Sequence, residues 1–271
     1  MWRWLLLCIV VLMPGGASAA PDRIVDVAVD GTAFRVTLAS GRVLAGRDLE
    51  AATLSVAFTG SDSPQPVHLD RIIVDPHDAD GDTLLYHISD PGNPGTELCS
   101  ADVWGEHWAF PLRGRWDANG VHMSDQGFTL TCAADAQGKC VRFGYKPWKQ
   151  LAHGTSLAPH HQACIRMVRA DYCGNQGTTR NGMLIDYYDN LGLAKAAEPT
   201  EAEAKKLAFE AAWDSSGALC VAHTRVPENI TLQELAERCP RLRNRLGPEA
   251  CTQAIAESGR FGRALILNKS P

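Results

Sequence analysis

Three side chains in the middle of this chain have the types that proton-transfer chemistry uses: His161, Asp171 and Asp186. A buried carboxylic acid can serve as a general acid, a histidine as a general base, and two carboxylates at a set separation can cleave a glycosidic bond. Spacing limits what these three can do together. Ten positions separate His161 from Asp171, which on one helix is a rise of about 15 Å, so they cannot form a direct dyad. Asp186 and Asp189 flank two tyrosines and read as turn acids at the end of a hairpin. Cys173 is a nucleophile only if a histidine from elsewhere activates its thiolate. No nucleophile, base and orienting group fall at a recognisable spacing. Catalysis therefore stays open, with Asp171, His161 and Asp186 as its candidates.

The metal-type donor sets fit their motifs poorly. Asp75, Asp78, Asp80 and Asp82 surround Gly81, yet counting a calcium loop from Asp78 puts Thr83 where glycine is required and Ser89 where the closing acid belongs. A solvated turn is expected there. His153, His160 and His161 have no second cluster at ligand spacing, and the adjacent pair diverges by about 100° on a helix. Neither a metal nor a cofactor is expected. Trp148, in Lys146-Pro147-Trp148-Lys149, reads as a core residue rather than an exposed platform for a sugar or peptide. The chain has no Cys-x-x-Cys pair for thiol exchange.

The element that must position Asp171 is a helix running from about Pro159 to Tyr172, with Gly174 as its stop. On that helix Met167, Asp171, Cys164, Val168, Tyr172 and Ile165 share one arc of about 160°, and Arg166, Arg169, Gln162 and Ala170 occupy the other side. Asp171 thus lies on the buried stripe, in a last turn where the macrodipole disfavours negative charge by roughly 0.3–1 kcal/mol. Neither arginine stands three or four positions before it, so its partner is expected from another segment. Cys164 and Cys173 would point in opposite directions and should not pair with each other.

Around this helix, the first half alternates in short runs: Ile24–Val29, Ala33–Leu38, Leu54–Phe58, Val67–Val74, Thr83–Ile88, Phe110–Leu112, Gly120–Met123 and Phe128–Thr131. These read as strands joined by tight turns. Asn181-Gly182 signals a hairpin between Thr178–Arg180 and Met183–Tyr187. Thr200 with Glu203 and Thr231 with Glu234 form capping boxes for helices over Glu201–Trp213 and Leu232–Cys239, and Pro248 opens a last helix to about Glu257.

The N-terminus reads as a secretory signal: a basic start at Met1–Arg3, an apolar run over Trp4–Met13, a Pro14–Gly16 break and the small-residue site Ala17-Ser18-Ala19. Cleavage near Ala19 removes Cys8 and leaves eight of the nine cysteines, an even number in an oxidising compartment where disulfides are the default. The bridges expected are Cys99–Cys132, Cys140–Cys164, Cys173–Cys220 and Cys239–Cys251. Net charge is −5 without long single-sign blocks, which argues against nucleic acid as a partner. No other stretch approaches the roughly 18 uninterrupted apolar residues of a membrane span.

Cys164 to Gly174, with His161 before it and Thr179, Gly182, Ile185-Asp186 and Asp189 after it, resembles the signature of the ADYC domain, a family of secreted bacterial proteins named for the tetrapeptide at Ala170–Cys173. Lys139 to Trp148, and Trp213 with Gly217 to Cys220, extend the resemblance over about Gly95 to Arg225 and more loosely from Asp30. It implies no catalytic mechanism. The chain is thus expected to comprise a signal over 1–19, an ADYC-like domain over 20–225, β-rich over 23–131 and helix plus hairpin over 140–225, and a helical C-terminal extension over 226–271. The fold class is α+β and disulfide-stapled. The expected function is a periplasmic or secreted binding or structural module for an unidentified envelope or extracellular component; the alternative is a hydrolase acting on an envelope or extracellular polymer with Asp171 and neighbouring groups.

Overall fold

The computed structural model describes residues 22–57, 63–93, 95–117, 119–194 and 200–271; the expected signal and its cleavage site at Ala19, and Phe58 of one expected strand, lie outside them. Strand alternation organises the first half. β1 (Ile24–Asp30), β2 (Ala33–Leu38) and β3 (Val43–Ala45) form an antiparallel sheet in that order. Phe34, Val36 and Leu38 point into the core at every second position. β4 (Thr53–Val56), β5 (Gln65–Val74), β6 (Leu84–Ser89), β7 (Trp108–Trp116) and β8 (His122–Cys132) follow as an antiparallel meander of five. The two sheets share a core of Phe34, Leu69, Leu85, Tyr86, Phe110 and Leu112. Of the runs expected separately at 120–123 and 128–131, His122, Met123 and the whole second run fall in the single strand β8, while Gly120 and Val121 lie in the turn before it.

Two helices lead into the second half. α1 (Ala136–Arg142) is joined by Cys140–Cys164 to α2 (Ala158–Arg169), the helix expected to carry Asp171. β9 (Asp186–Asp189), the one-turn α3 (Glu201–Ala204), β10 (Ala208–Asp214) and β11 (Gly217–Val221) come next. α4 (Leu232–Arg238), α5 (Gln253–Glu257) and β12 (Ile266–Ser270) complete the chain. β11, β10, β12 and β9 form an antiparallel sheet in that order. α2 packs on it, burying Cys164, Ile165 and Met167 with Trp213, Val221 and Ile266.

Several expectations are corrected here. Asn181-Gly182 does turn the chain, with Gly182 at φ +80, but no hairpin forms. The Thr178 and Thr179 N–H groups donate to the Arg169 carbonyl at 2.9 and 3.1 Å, so they are spent on the end of α2, and β9 pairs instead with β12. The helix expected over Glu201–Trp213 stops after its capping box. Ala211, Ala212 and Trp213 gain more by burial inside a sheet than their helix propensity offers. The tail after Arg225 has its two helices, but β12 lies between β10 and β9, so the tail also supplies an inner strand of the second sheet.

Four disulfides brace the fold. Cys99–Cys132 and Cys140–Cys164 form as expected, while the other four cysteines pair as Cys173–Cys239 and Cys220–Cys251. The exchange follows from the sheet. Cys220 packs with Leu219, Cys251 and Leu267, whereas Cys239 packs with Tyr172 in the cluster around α2. Neighbouring short helices thus carry Cys239 and Cys251 into separate clusters.

Candidate functional site

α2 ends earlier than its sequence suggests, and the reason is Ala170. This residue adopts φ 48, ψ 45, a left-handed conformation that costs a non-glycine residue roughly 1–2 kcal/mol. The Ala170 N–H donates to the Met167 carbonyl at 3.0 Å and the Asp171 N–H to the Arg166 carbonyl at 2.8 Å, the two bonds of a Schellman cap. The reversal folds Asp171 back under the helix end. Its Oδ2 accepts from Arg166 Nη1 at 2.6 Å, and its Oδ1 accepts the N–H groups of Asn175 and Gln176 at 2.8 and 2.9 Å.

Asp171 is 0% exposed as expected, but it stands beyond the end of α2, so the reversal at Ala170 and not a place on the helical stripe buries it. Its cation, however, comes from α2 and not from another segment. Arg166 stands five positions earlier and comes within reach because the helix breaks at Ala170. Nor does Arg166 face water. The β7–β8 turn folds over that side of α2, taking hydrogen bonds from Gln162 Nε2 to the Gly120 carbonyl at 2.7 Å and from Arg166 Nη1 to the Asn119 carbonyl at 2.6 Å.

Next to this turn lies a second sealed network that sequence reasoning missed. Glu210, 0% exposed on β10, accepts from Arg225 Nε at 2.9 Å, Arg225 Nη2 at 3.0 Å, the Tyr172 hydroxyl at 2.9 Å and Asn268 Nδ2 at 2.7 Å. Arg225 also donates to the Met167 and Val168 carbonyls at 2.9 and 3.1 Å, placing a cation at the negative end of the α2 dipole. Burial, and then the Glu210 carboxylate, push the Tyr172 hydroxyl well above its ordinary pKa. The available signal was Glu210 alone in the apolar run Ala208–Trp213, visible once that run is read as a strand.

The other candidates do not converge on Asp171. His161 is buried, and its Nε2 meets the Gln137 carbonyl at 3.1 Å, with Trp116 edge-on. Burial lowers its pKa to about 4, so at neutral pH it is an uncharged donor. Asp186 sits at the sheet edge opposite Lys269. His160 meets the Asn190 amide at 3.0 Å, and His153 is exposed. Trp148 packs against the first core and the Gly31 turn.

The acidic loop is not the solvated turn expected. Arg142 holds Asp75 through Nε and Nη2 at 2.8 and 3.1 Å, and Lys146 Nζ sits among Asp78 at 2.6 Å, Asp80 at 3.0 Å and Asp82. The three aspartates have the geometry of a cation site, and the Lys146 ammonium occupies its centre. Burial by itself would raise the Asp78 pKa, but the hydrogen bonds from Lys146 and Thr83 outweigh it and hold the carboxyl well below the usual range.

Beside the Asp171 turn the surface forms a groove of about 310 Å³. Tyr172, Cys173, Ile230 and Leu235 supply its floor, and Asn175, Gln176, Thr178 and Arg238 its rim. Ile230 and Leu235 are buried while Asn175 and Gln176 are exposed. The pairing of an apolar floor with amide and guanidinium donors suits a ligand that has both an apolar portion and acceptor groups. Among the described residues no helix is long and apolar enough to cross a membrane. No curated protein and no solved structure matches the chain. The family model of the ADYC domain matches residues 46–227, from the turn after β3 to just beyond Arg225, and the chain belongs to that family.

Proposed function

We propose that this chain is an exported, disulfide-braced binding module of the cell envelope or extracellular space, and that the groove beside the Asp171 turn is its ligand surface. The observation that carries this reading is the saturation of Asp171: one arginine and two backbone N–H groups take up its carboxylate. Such an acid has been given to building a turn, and what the turn builds is the groove rim at Asn175 and Gln176. A hydrolase would need a titratable group open to substrate, and neither His161 nor Asp171 offers one. The basic, apolar and small-residue succession over residues 1–19 supports export with cleavage near Ala19, and four disulfides fit an oxidising destination.

Co-sedimentation of the secreted protein with isolated cell-envelope fractions tests the reading. Retention of the wild type, loss of retention in Arg238→Glu and no release of soluble fragments is the expected result. Release of sugar or peptide fragments that disappears in Asp171→Asn would establish the hydrolase instead, and equal retention of both proteins would remove the groove from the account.

A further inference from the structure

We infer that the Cys173–Cys239 bridge is a thiol-exchange site, opened by a small external thiol that attacks the sulfur of Cys173 from the groove. Access separates this bridge from the others. Cys173 is partly exposed and lines the groove. By contrast, Cys140 and Cys164 are both 0% exposed, and Cys220 and Cys251 are 0% and 1% exposed. Cys132 is partly exposed, but it packs against the first core with Cys99 and lines neither this groove nor the open depression around His223 and Pro271.

Charge acts in the same direction. Arg238 lines the groove and immediately precedes Cys239; its side chain is 53% exposed and meets Glu234 at 3.5 Å. A cation lining the same groove as Cys173 favours the thiolate, both as it enters and as it leaves. The chain around the bridge is also tied without it. Asn229 Nδ2 donates to the Thr178 carbonyl at 2.7 Å, and Arg241 donates to the Tyr172 and Ala218 carbonyls at 2.9 Å each. Opening the bridge therefore leaves α4 docked and the fold intact.

The chemistry is a two-step exchange. A thiolate forms a bond to Cys173 Sγ while the bridge breaks, and the electron pair departs on Cys239 Sγ, which takes a proton from water. A second thiolate then attacks the external sulfur of the mixed disulfide. This releases the oxidised small thiol and leaves Cys173 as a thiolate, so that two electrons have passed to the protein. The groove's size favours a small thiol over a protein partner. None of this depends on which ligand the groove binds.

The test treats the folded, secreted protein with graded reduced glutathione, traps thiols with iodoacetamide and maps them by mass spectrometry. Cys173 and Cys239 should be labelled about tenfold sooner than any other pair, the gap expected between an accessible and an enclosed sulfur. Glutathione should be found on Cys173, with circular dichroism unchanged. Arg238→Glu should slow opening severalfold and leave the melting temperature in place. Earlier opening of Cys99–Cys132, glutathione on Cys239, or simultaneous loss of all four bridges with the structure would each overturn the inference.

Discussion

Two charge clusters in this molecule handle charge in opposite ways, the acidic loop around Lys146 and the sealed pairs beneath α2. In the first, Lys146 draws Asp78, Asp80 and Asp82 together at a rim where the Asp80 and Asp82 side chains remain 55% and 39% exposed. In the second, the Glu210–Arg225 and Asp171–Arg166 pairs have side chains no more than 2% exposed. A rim charge is stabilised by water as well as by its partners, so losing one partner changes little. A sealed charge has only the protein, and every hydrogen bond around it must be present. The prediction is that the sealed pairs are brittle to substitution and indifferent to salt, and the acidic loop the reverse; Arg142 with Asp75 and Asp102, at most 6% exposed, belongs with the sealed pairs although it lies in the first half.

The largest effect is expected at Glu210. Glu210→Ala leaves Arg225 buried without its carboxylate and removes the acceptor for Tyr172 and Asn268, which should cost about 3–5 kcal/mol in urea unfolding. Glu210→Leu combined with Arg225→Met should recover much of that loss, because the penalty belongs to the unpaired charge. A loss under about 1 kcal/mol for the single variant would erase the contrast between the two clusters.

Asp171→Asn comes next, at about 2 kcal/mol. The amide oxygen can still accept from Asn175 and Gln176, but the charge facing Arg166 is gone. Lower secretion and a lower unfolding midpoint are expected, and a variant that is exported and melts like the wild type would mean that the turn does not need its carboxylate.

Lys146→Met removes a cation that is itself only 3% exposed, but Asp80 and Asp82 keep their water, so it should cost about 1–2 kcal/mol, a difference that shrinks in 1 M salt, whereas the cost of Glu210→Ala should not. Acid gives the matching sign. The Asp78 pKa is lowered in the folded protein from 3.8, so its contribution is complete above that value and is lost as pH falls below it. Burial alone would lower Lys146, but the hydrogen bonds it donates to Asp78, Asp82 and Asp80 outweigh that and raise it from 10.5; its contribution is complete below that value and fades as pH rises beyond it. Titration of the difference in stability between wild type and variant should show a plateau across neutral pH that falls at both ends.

What the sequence revealed follows the range of the forces involved. β1, β2, β5 and β6 were legible because strand alternation and tight turns are local. Burial of Asp171 was anticipated from a helical position that it does not hold, and its partner was not anticipated, because Arg166 reaches it only through a backbone reversal that no side chain announces. The Ala208–Ala212 run looked helical for a related reason: alanine favours helix in isolation, and pairing with β11 and with the distant β12 makes a strand the better state. Two disulfides were correctly anticipated, and the other two depended on which face of β11 each cysteine reached.

Ala170 offers the smallest effect and the finest discrimination. Had α2 continued to Tyr172 as its pattern suggests, Ala170→Gly would sit in a helix interior and cost about 1 kcal/mol. In the left-handed position the same change relieves backbone strain, while it gives up a fully buried methyl worth about 0.8 kcal/mol and loosens the unfolded chain. The two sides nearly cancel, so the measured change should stay within about 0.5 kcal/mol of zero. Ala170→Val meets a branched side chain with the same backbone and should cost more than about 2 kcal/mol. Equal losses for glycine and valine would place residue 170 in an ordinary helical turn and detach Arg166 from Asp171.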